Sequence, residues 1–322
     1  MFGIYRTILA ILVVAQHCGL WGLGQSAVIL FFCLSGFLMT LLMDTNYEGR
    51  RAAFAVNRFL RLYPIYWATM LLTLVFILLG FQAPRGFIGI PTGFTAIRAI
   101  AYVNFSFDRP QLVSVSWAVT NEIIMYALIC FGVSKTPRSS LVWMCISIIY
   151  TVISYEFTRR EEFWQYFSPL AASLPFSIGA CAYHARNIMT LPAWGKIVSL
   201  IALVVVLYAG HKFSGLYTPK IALLVIVPFV TIALYQTKIT ATIALVDKHI
   251  GDLSYPIYLN HMTAMMLVIP ILKKLSGYPF FLITLAISVA LAAATNMLIN
   301  SRIEAIRSRV RKAPVLAKDQ SP

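Results

Sequence analysis

Charged residues are scarce in this chain, and acidic residues are the scarcest. Only 11% of its 322 residues are Asp, Glu, Lys or Arg, and 11 acidic residues face 26 basic ones. Hydrophobic residues make up 60% of the chain, far above the share found in soluble globular domains. This composition excludes an ordinary soluble domain and favours an integral membrane protein.

Cysteine is also rare, and its positions carry no pattern. All five cysteines fall in apolar stretches, where cysteine behaves as a small apolar residue. None has the spacing of a metal site or of a disulfide framework, so we expect no metal centre and no tightly bound cofactor. The five are Cys18, Cys33, Cys130, Cys145 and Cys181.

Long apolar runs, by contrast, fill the chain. Runs of about 18 or more apolar residues indicate membrane-spanning helices. No small-x-small cleavage site follows the first run, so we expect it to stay in the mature protein. The sequence predicts an all-α, polytopic membrane domain over 1–301 with about ten transmembrane helices, and a short basic cytoplasmic tail over 302–322, which we expect to be disordered beyond residue 307. The expected spans are 7–23, 26–43, 63–81, 115–133, 140–157, 164–184, 194–211, 219–236, 253–272 and 279–300.

The basic residues indicate an orientation. With ten crossings both termini lie on one side, and loops that face the cytoplasm are enriched in Lys and Arg. If the termini are cytoplasmic, sixteen basic residues fall on that side and nine on the other, with Arg6 left uncounted inside the first span. We therefore expect a multi-pass protein of the inner membrane with both termini in the cytoplasm. The net charge of +15 then reflects topology and lipid headgroups, and we expect no nucleic-acid partner.

The first span holds an arginine and a histidine on one face. Eleven positions separate Arg6 from His17, which places both on the same side of a helix, about 16 Å apart. An ionisable residue in a membrane helix usually faces the protein interior and serves function. A purely structural alternative is a histidine bonded to a neighbouring helix and an arginine that reaches the headgroups.

These residues and those that follow resemble a known family, the membrane-bound acyltransferase-3 family, whose members O-acylate sugars. The family carries R-x10-H in its first span and FFxLSGF in its second. This chain has Arg6 and His17, followed by Phe31–Phe37 with Ser35 inside the motif. It departs from the family's usual pattern at Ala27, where a glycine is common.

A basic segment precedes the third span. Arg58 and Arg61 lie three residues apart, on one face of a short amphipathic helix. They either anchor the chain at the cytoplasmic surface or clamp an anionic ligand, because guanidinium groups suit phosphates. An R-x-x-R segment recurs here in the family, so the resemblance favours the clamp.

Two further spans carry polar residues at family spacing. In the fourth, Trp117, Glu122 and Tyr126 match SW-x4-E-x3-Y, and a Glu–Arg pair that fixes packing is the structural alternative for Glu122. In the ninth, Tyr258 and His261 belong to a polar stripe at helical spacing and match a similar family segment. There we expect either a direct role or hydrogen bonds between helices.

The longest segment between spans is 82–114, which is rich in glycine and proline. A short helix is expected near 95–105. Long loops in compact membrane proteins often form a lid or part of a binding site.

The resemblance implies an O-acyltransferase that uses acyl-CoA, most commonly acetyl-CoA, as donor. The acceptor would be a carbohydrate: a polysaccharide, a lipid-linked sugar or a small glycoside. A histidine suits the general base, so His17 is the expected base, and Glu122 or Tyr126 either orients it or completes the polar site. Arg6, Arg58 and Arg61 would bind the donor's phosphates, and Ser35, Trp117, Tyr258 and His261 would support the site or the substrate. A transporter or flippase of a lipid-linked sugar is the alternative, although the matched helix breaks typical of transporters are not visible.

Overall fold

The computed structural model describes residues 1–81, 88–105, 110–158, 161–212, 218–271 and 276–312. The fold is all-α, as predicted. Short π-helical turns precede α7 and follow α11. The α-helices are α1 (Phe2–His17), α2 (Gly24–Thr45), α3 (Arg51–Leu78), α4 (Gly93–Ile100), α5 (Ser116–Cys130), α6 (Pro137–Phe157), α7 (Pro169–Ala185), α8 (Ala193–Lys212), α9 (Thr218–Gln236), α10 (Ala241–Ile271), α11 (Gly277–Thr295) and α12 (Ser301–Lys312).

Every expected span coincides with a helix, but the number of membrane crossings is not confirmed. Within the described ranges, five helices are long and apolar enough to cross a membrane by length and composition: α2, α3, α6, α8 and the continuous helical segment from α11 into α12. Helices α1 and α5 and the segment Lys220–Gln236 of α9 are apolar but shorter. Helix α10 is 31 residues long, but polar residues such as Asn260 and His261 lower its mean hydropathy, and it is not among these five.

The outer helices present apolar side chains to their surroundings. Leu141 and Ile149 of α6 and Ile197 and Val204 of α8 are each more than half exposed. Continuous apolar surface of this kind is a liability in water and is the expected surface of a helix against lipid. The exposed faces of α6 and α8 therefore belong to the bilayer.

A close helix crossing joins α2 and α7, and it depends on two glycines. A Cβ atom on Gly36 would overlap the backbone carbonyl of Phe176, and one on Gly179 would overlap the carbonyl of Cys33. Small residues let helix backbones approach closely in membranes. This contact holds α2, which carries Ser35, against α7.

The loop between α3 and α5 contains the expected short helix, and α3 holds it in place. Side-chain donors of Tyr63, Tyr66 and Trp67 bond the last carbonyl groups of α4 and its cap at 3.1, 2.7 and 2.9 Å. These are the groups that a helix terminus leaves without a backbone partner. Residues 82–87 and 106–109 of the predicted lid lie outside the described residues.

The basic tail predicted from residue 302 begins as a helix, which continues past residue 307, where disorder was expected, to Lys312. Residues 301–312 form α12, which packs against α3, and 313–322 lie outside the described residues. Arg50 of the α3 N-terminus donates to the carbonyls of Val310 and Arg311 at 2.7 and 3.0 Å. These contacts hold α12 against the beginning of α3.

Candidate active site

The register between α1 and α10 is set at the beginning of α1. The backbone N–H groups of Gly3 and Ile4 donate to the carboxylate of Asp247 at 3.0 and 2.9 Å. This carboxylate satisfies N–H groups that the helix itself leaves open, at its positive end. Thr7 adds a bond of 2.9 Å from its hydroxyl to the carbonyl of Ile250. With this end held, the far end of α1 meets α10 at a defined position.

At that far end, two histidines meet. Nδ1 of His17 lies 3.1 Å from Nε2 of His261, and the ring centroids are 4.9 Å apart. His261 is fully buried, and its Nδ1 lies 2.7 Å from the carbonyl oxygen of Tyr258. The carbonyl of Val13 also lies 3.0 Å from Nδ1 of His17.

This hydrogen-bond chain assigns the protons of a neutral histidine pair. A carbonyl oxygen only accepts, so Nδ1 of His261 carries a proton and donates it to Tyr258. The other nitrogen of neutral His261, Nε2, then accepts, and Nδ1 of His17 donates to it. His17 is thereby left with its lone pair on Nε2. That protonation state is the one a general base requires.

A cavity of about 290 Å³ lies between the helices, toward the other end of α1. Its lining comes from α1, α2, α3, α5, α10 and α12 and from Tyr47, which follows α2. Among the described residues, the polar side chains that line it are five arginines, one carboxylate and six hydroxyl groups: Arg6, Arg58, Arg61, Arg307, Arg311, Glu122, Ser35, Tyr47, Tyr126, Ser254, Tyr255 and Tyr258.

The arginines of this cavity are only partly satisfied by the protein. Arg58 is 9% exposed and donates to the side chain of Asn57 at 2.9 Å, while its Nε has no partner in the described part of the chain. The Nε of Arg6 is likewise buried without a hydrogen bond there. Buried cations that lack partners are costly, so converging guanidinium groups of this kind favour an anionic ligand.

Glu122 belongs to the cavity wall. The hydroxyl of Ser35 donates to its carboxylate at 2.6 Å, and Tyr126 lies one helical turn further along α5. The sequence left open whether Glu122 or Tyr126 orients His17 or completes the polar site. Both line the cavity together with Arg6, and the ring of His17 lies against His261. Glu122 shares its cavity with Arg6, near the beginning of α1, whereas His17 is the last residue of that helix.

An aromatic pair separates the cavity from the histidines. Phe31 and Tyr258 both line the cavity, with ring centroids 6.4 Å apart, and Tyr258 in turn lies 6.1 Å from the ring of His261. The lining found among the described residues includes neither His17 nor His261. The predicted site residues therefore form two groups, and the ring of Tyr258 contacts both.

Trp117 joins neither group. Its ring packs edge-on against Phe167 and Tyr166, at centroid distances of 4.6 and 5.3 Å, and it is not among the described residues of the cavity wall. The spacing of Trp117 to Glu122 reflects a shared helix, because five residues apart on a helix do not point in the same direction.

Sequence reasoning did not assign Arg307 and Arg311 to the cavity, because it counted them only among the basic residues that indicate orientation. A signal was present. Glu304, Arg307 and Arg311 are spaced three and four residues apart, which places them on one face of a helix. That face is turned toward the cavity.

The helical bundle thus contains an arginine-lined cavity and, beyond the ring of Tyr258, two histidines in contact. A family model described as an acyltransferase domain, Acyl_transf_3, matches residues 4–297. The chain therefore belongs to the acyltransferase-3 family and is a membrane acyltransferase. No curated protein and no solved structure matches the chain.

Proposed function

We propose that the protein moves an acyl group, acetyl in the simplest case, from acyl-CoA to a hydroxyl group of a carbohydrate. The observation that carries this proposal is the placement of two groups along α1: an arginine-lined cavity at one end and a histidine pair at the other. The arginines suit the phosphates of a donor, and the histidine pair suits a base that acts on a hydroxyl group.

The donor's phosphates would lie in the cavity. Arg6, Arg58 and Arg61 present guanidinium groups, which bind phosphate oxygens through paired, charge-assisted hydrogen bonds. Arg6 and His17 are about 16 Å apart along the helix. The pantetheine arm of CoA, in an extended conformation, covers a distance of this order between the phosphates and the thioester.

His17 would act as the general base. Its Nε2 accepts the proton of the acceptor hydroxyl as the oxygen attacks the carbonyl carbon of the thioester. The carbon–sulfur bond then breaks, and the CoA thiolate leaves and takes the proton from His17. His261 fixes the tautomer that makes this possible. Tyr258 and Phe31 would have to admit the pantetheine arm between them.

Glu122 and Tyr126 would act on the donor side. The carboxylate lies in a wall otherwise rich in cations, where it offsets part of their repulsion. Ser35 holds it there. We therefore assign Glu122, Tyr126 and Ser35 to the shape and charge of the donor cavity rather than to the base.

The proposed function also fits one membrane topology. We propose that the protein crosses the inner membrane about ten times and that both termini lie in the cytoplasm. The cavity is lined by α12 and by the start of α3, which are the most basic segments. This orientation opens the donor cavity toward the cytoplasm, where acyl-CoA is made. The acceptor, a polysaccharide, a lipid-linked sugar or a small glycoside, would approach His17 from the other side.

Purified protein in detergent tests the proposal. Incubation with acetyl-CoA labelled in its acetyl group and a panel of glycan acceptors should release the CoA thiol and label the acceptor. His17→Ala serves as the control for background hydrolysis. Transfer in detergent, where no compartments exist, excludes a pure transporter or flippase. Absence of both thiol release and acyl-CoA binding would overturn the proposal.

A further inference from the structure

The side chain of Asn57 connects helix α12 to the arginine-lined wall of the cavity. The amide nitrogen of Asn57 donates to the carbonyl of Arg307 at 3.2 Å, and its amide oxygen accepts from Arg58 at 2.9 Å. Asn57 is fully buried. It thereby links the backbone of α12 to a guanidinium group of the cavity.

Two arginines of α12 face the cavity, and two face away. Arg307 and Arg311 line it, whereas Arg302 and Arg309 are exposed and do not. The general enrichment of cytoplasmic segments in basic residues is enough to explain the exposed Arg302 and Arg309. It does not explain why Arg307, which is only 5% exposed, is buried in the cavity wall.

Arg307 and Arg311 share one carboxylate, and part of the guanidinium group of Arg307 has no hydrogen-bond acceptor among the described residues. The carboxylate of Glu304 bonds Arg307 at 2.6 Å and also bonds Arg311. The Nε of Arg307 is buried and has no hydrogen bond within the described ranges. One carboxylate between two guanidinium groups leaves this part of the wall positively charged. The side chain of Arg311 is 40% exposed, so it lies at the outer edge of the cavity.

We propose that α12 forms the outer part of the donor site, with Arg307 on the diphosphate of CoA and Arg311 on its ribose 3′-phosphate. This assignment rests on the proposed use of acyl-CoA. The assignment follows from the position of each part of CoA in the cavity. If the pantetheine arm points inward toward Tyr258, the nucleotide end of CoA lies nearest the cavity opening. The C-terminal helix is then a substrate-binding element of the enzyme.

The test compares single arginine variants of one helix. Arg307→Ala and Arg311→Ala are measured against Arg309→Ala, which removes the same charge from the exposed face. Equilibrium binding of CoA and of dephospho-CoA, which lacks the 3′-phosphate, is measured on detergent-purified protein. Loss of a charge-assisted phosphate contact should weaken CoA binding roughly tenfold in the first two variants, while Arg309→Ala binds as the wild type does.

Dephospho-CoA locates the contact. For Arg311→Ala, the loss seen with CoA should vanish with dephospho-CoA, since the 3′-phosphate is absent. For Arg307→Ala, the loss should persist with both ligands. Equal binding of CoA by the Arg307, Arg311 and Arg309 variants would overturn the role of α12. An equal loss of both ligands in Arg311→Ala would overturn its pairing with the 3′-phosphate.

Folding and the parent proposal are tested separately. Each variant is checked for abundance in the membrane fraction and for a single elution peak. If Arg307→Ala fails this check because a buried contact is lost, Arg311→Ala decides the matter, since its side chain lies at the surface. If the wild-type protein binds CoA and every α12 variant binds it equally well, only this inference is refuted. Wild-type protein that binds no CoA refutes the proposed function as well.

Discussion

Nε2 of His261 lies 3.1 Å from Nδ1 of His17, and this contact joins residues 244 positions apart in the chain. Because His261 donates the proton on its Nδ1 to a backbone carbonyl, its Nε2 can only accept from His17 while both rings are neutral. Under the proposed function, a second imidazole would take the orienting role that carboxylates fill in many acyltransfer sites.

His17→Ala should leave a folded, membrane-inserted protein that binds acyl-CoA and fails to acylate its acceptor. Removal of a general base lowers the rate by about 10²–10⁴, while the donor cavity lies elsewhere and stays intact. Acylation per amount of protein in the membrane fraction, together with acyl-CoA affinity, measures this. Full acylation at normal abundance would refute the catalytic assignment, and loss of the protein would make His17 structural.

His261→Ala should have a smaller effect than His17→Ala. The base remains but loses its fixed tautomer, so we expect kcat to fall by about 10-fold with KM for acyl-CoA unchanged. His261→Gln should recover part of the rate, since a glutamine side-chain oxygen accepts from His17. If the Gln and Ala variants show equal rates, the hydrogen bond plays no orienting role.

Arg58→Ala and Arg61→Ala should each weaken acyl-CoA binding by roughly tenfold or more, through loss of charge-assisted contacts. Lys at either position should restore only part of the affinity, because the planar fork is lost. Arg51→Ala is the matched control: Arg51 begins the same helix and is exposed. Unchanged affinity in both Ala variants would return Arg58 and Arg61 to a purely topological role.

Glu122→Gln should lower KM for acyl-CoA by a few-fold. The amide still accepts from Ser35, so the wall keeps its shape, while the cavity loses its negative charge and attracts phosphates more strongly. Steady-state kinetics over a range of acyl-CoA concentrations measures both constants. A fall in kcat as large as that of His17→Ala, at unchanged KM, would instead place Glu122 in the catalytic step.

Gly36→Ala and Gly179→Ala should each destabilise the protein by about 1–3 kcal/mol, because the added methyl group meets backbone atoms that cannot rotate away. Gly22→Ala is the control, since a Cβ there meets nothing within 4 Å. Thermal unfolding in detergent, followed by tryptophan fluorescence, provides the measurement. Equal midpoints for all three variants would mean that α2 and α7 separate freely.

Much of the local arrangement could be predicted from the chain. Apolar runs placed the helices, because hydrocarbon forces the backbone to satisfy its own hydrogen bonds. Helical periodicity put Arg6 and His17 on one face and Arg58 beside Arg61, since these relations lie within single helices. The family resemblance, carried by short motifs, is confirmed over residues 4–297.

Relations between helices were decided only by the tertiary structure. Periodicity says which way a side chain points on its own helix, but not which helix it meets or at what depth. The His17–His261 contact depends on the register that Asp247 imposes on α1, which no local pattern encodes. The helix at 301–312 is held because two residues of the α3 region, Arg50 and Asn57, donate hydrogen bonds to its carbonyl groups. Both lie more than 240 residues earlier in the chain.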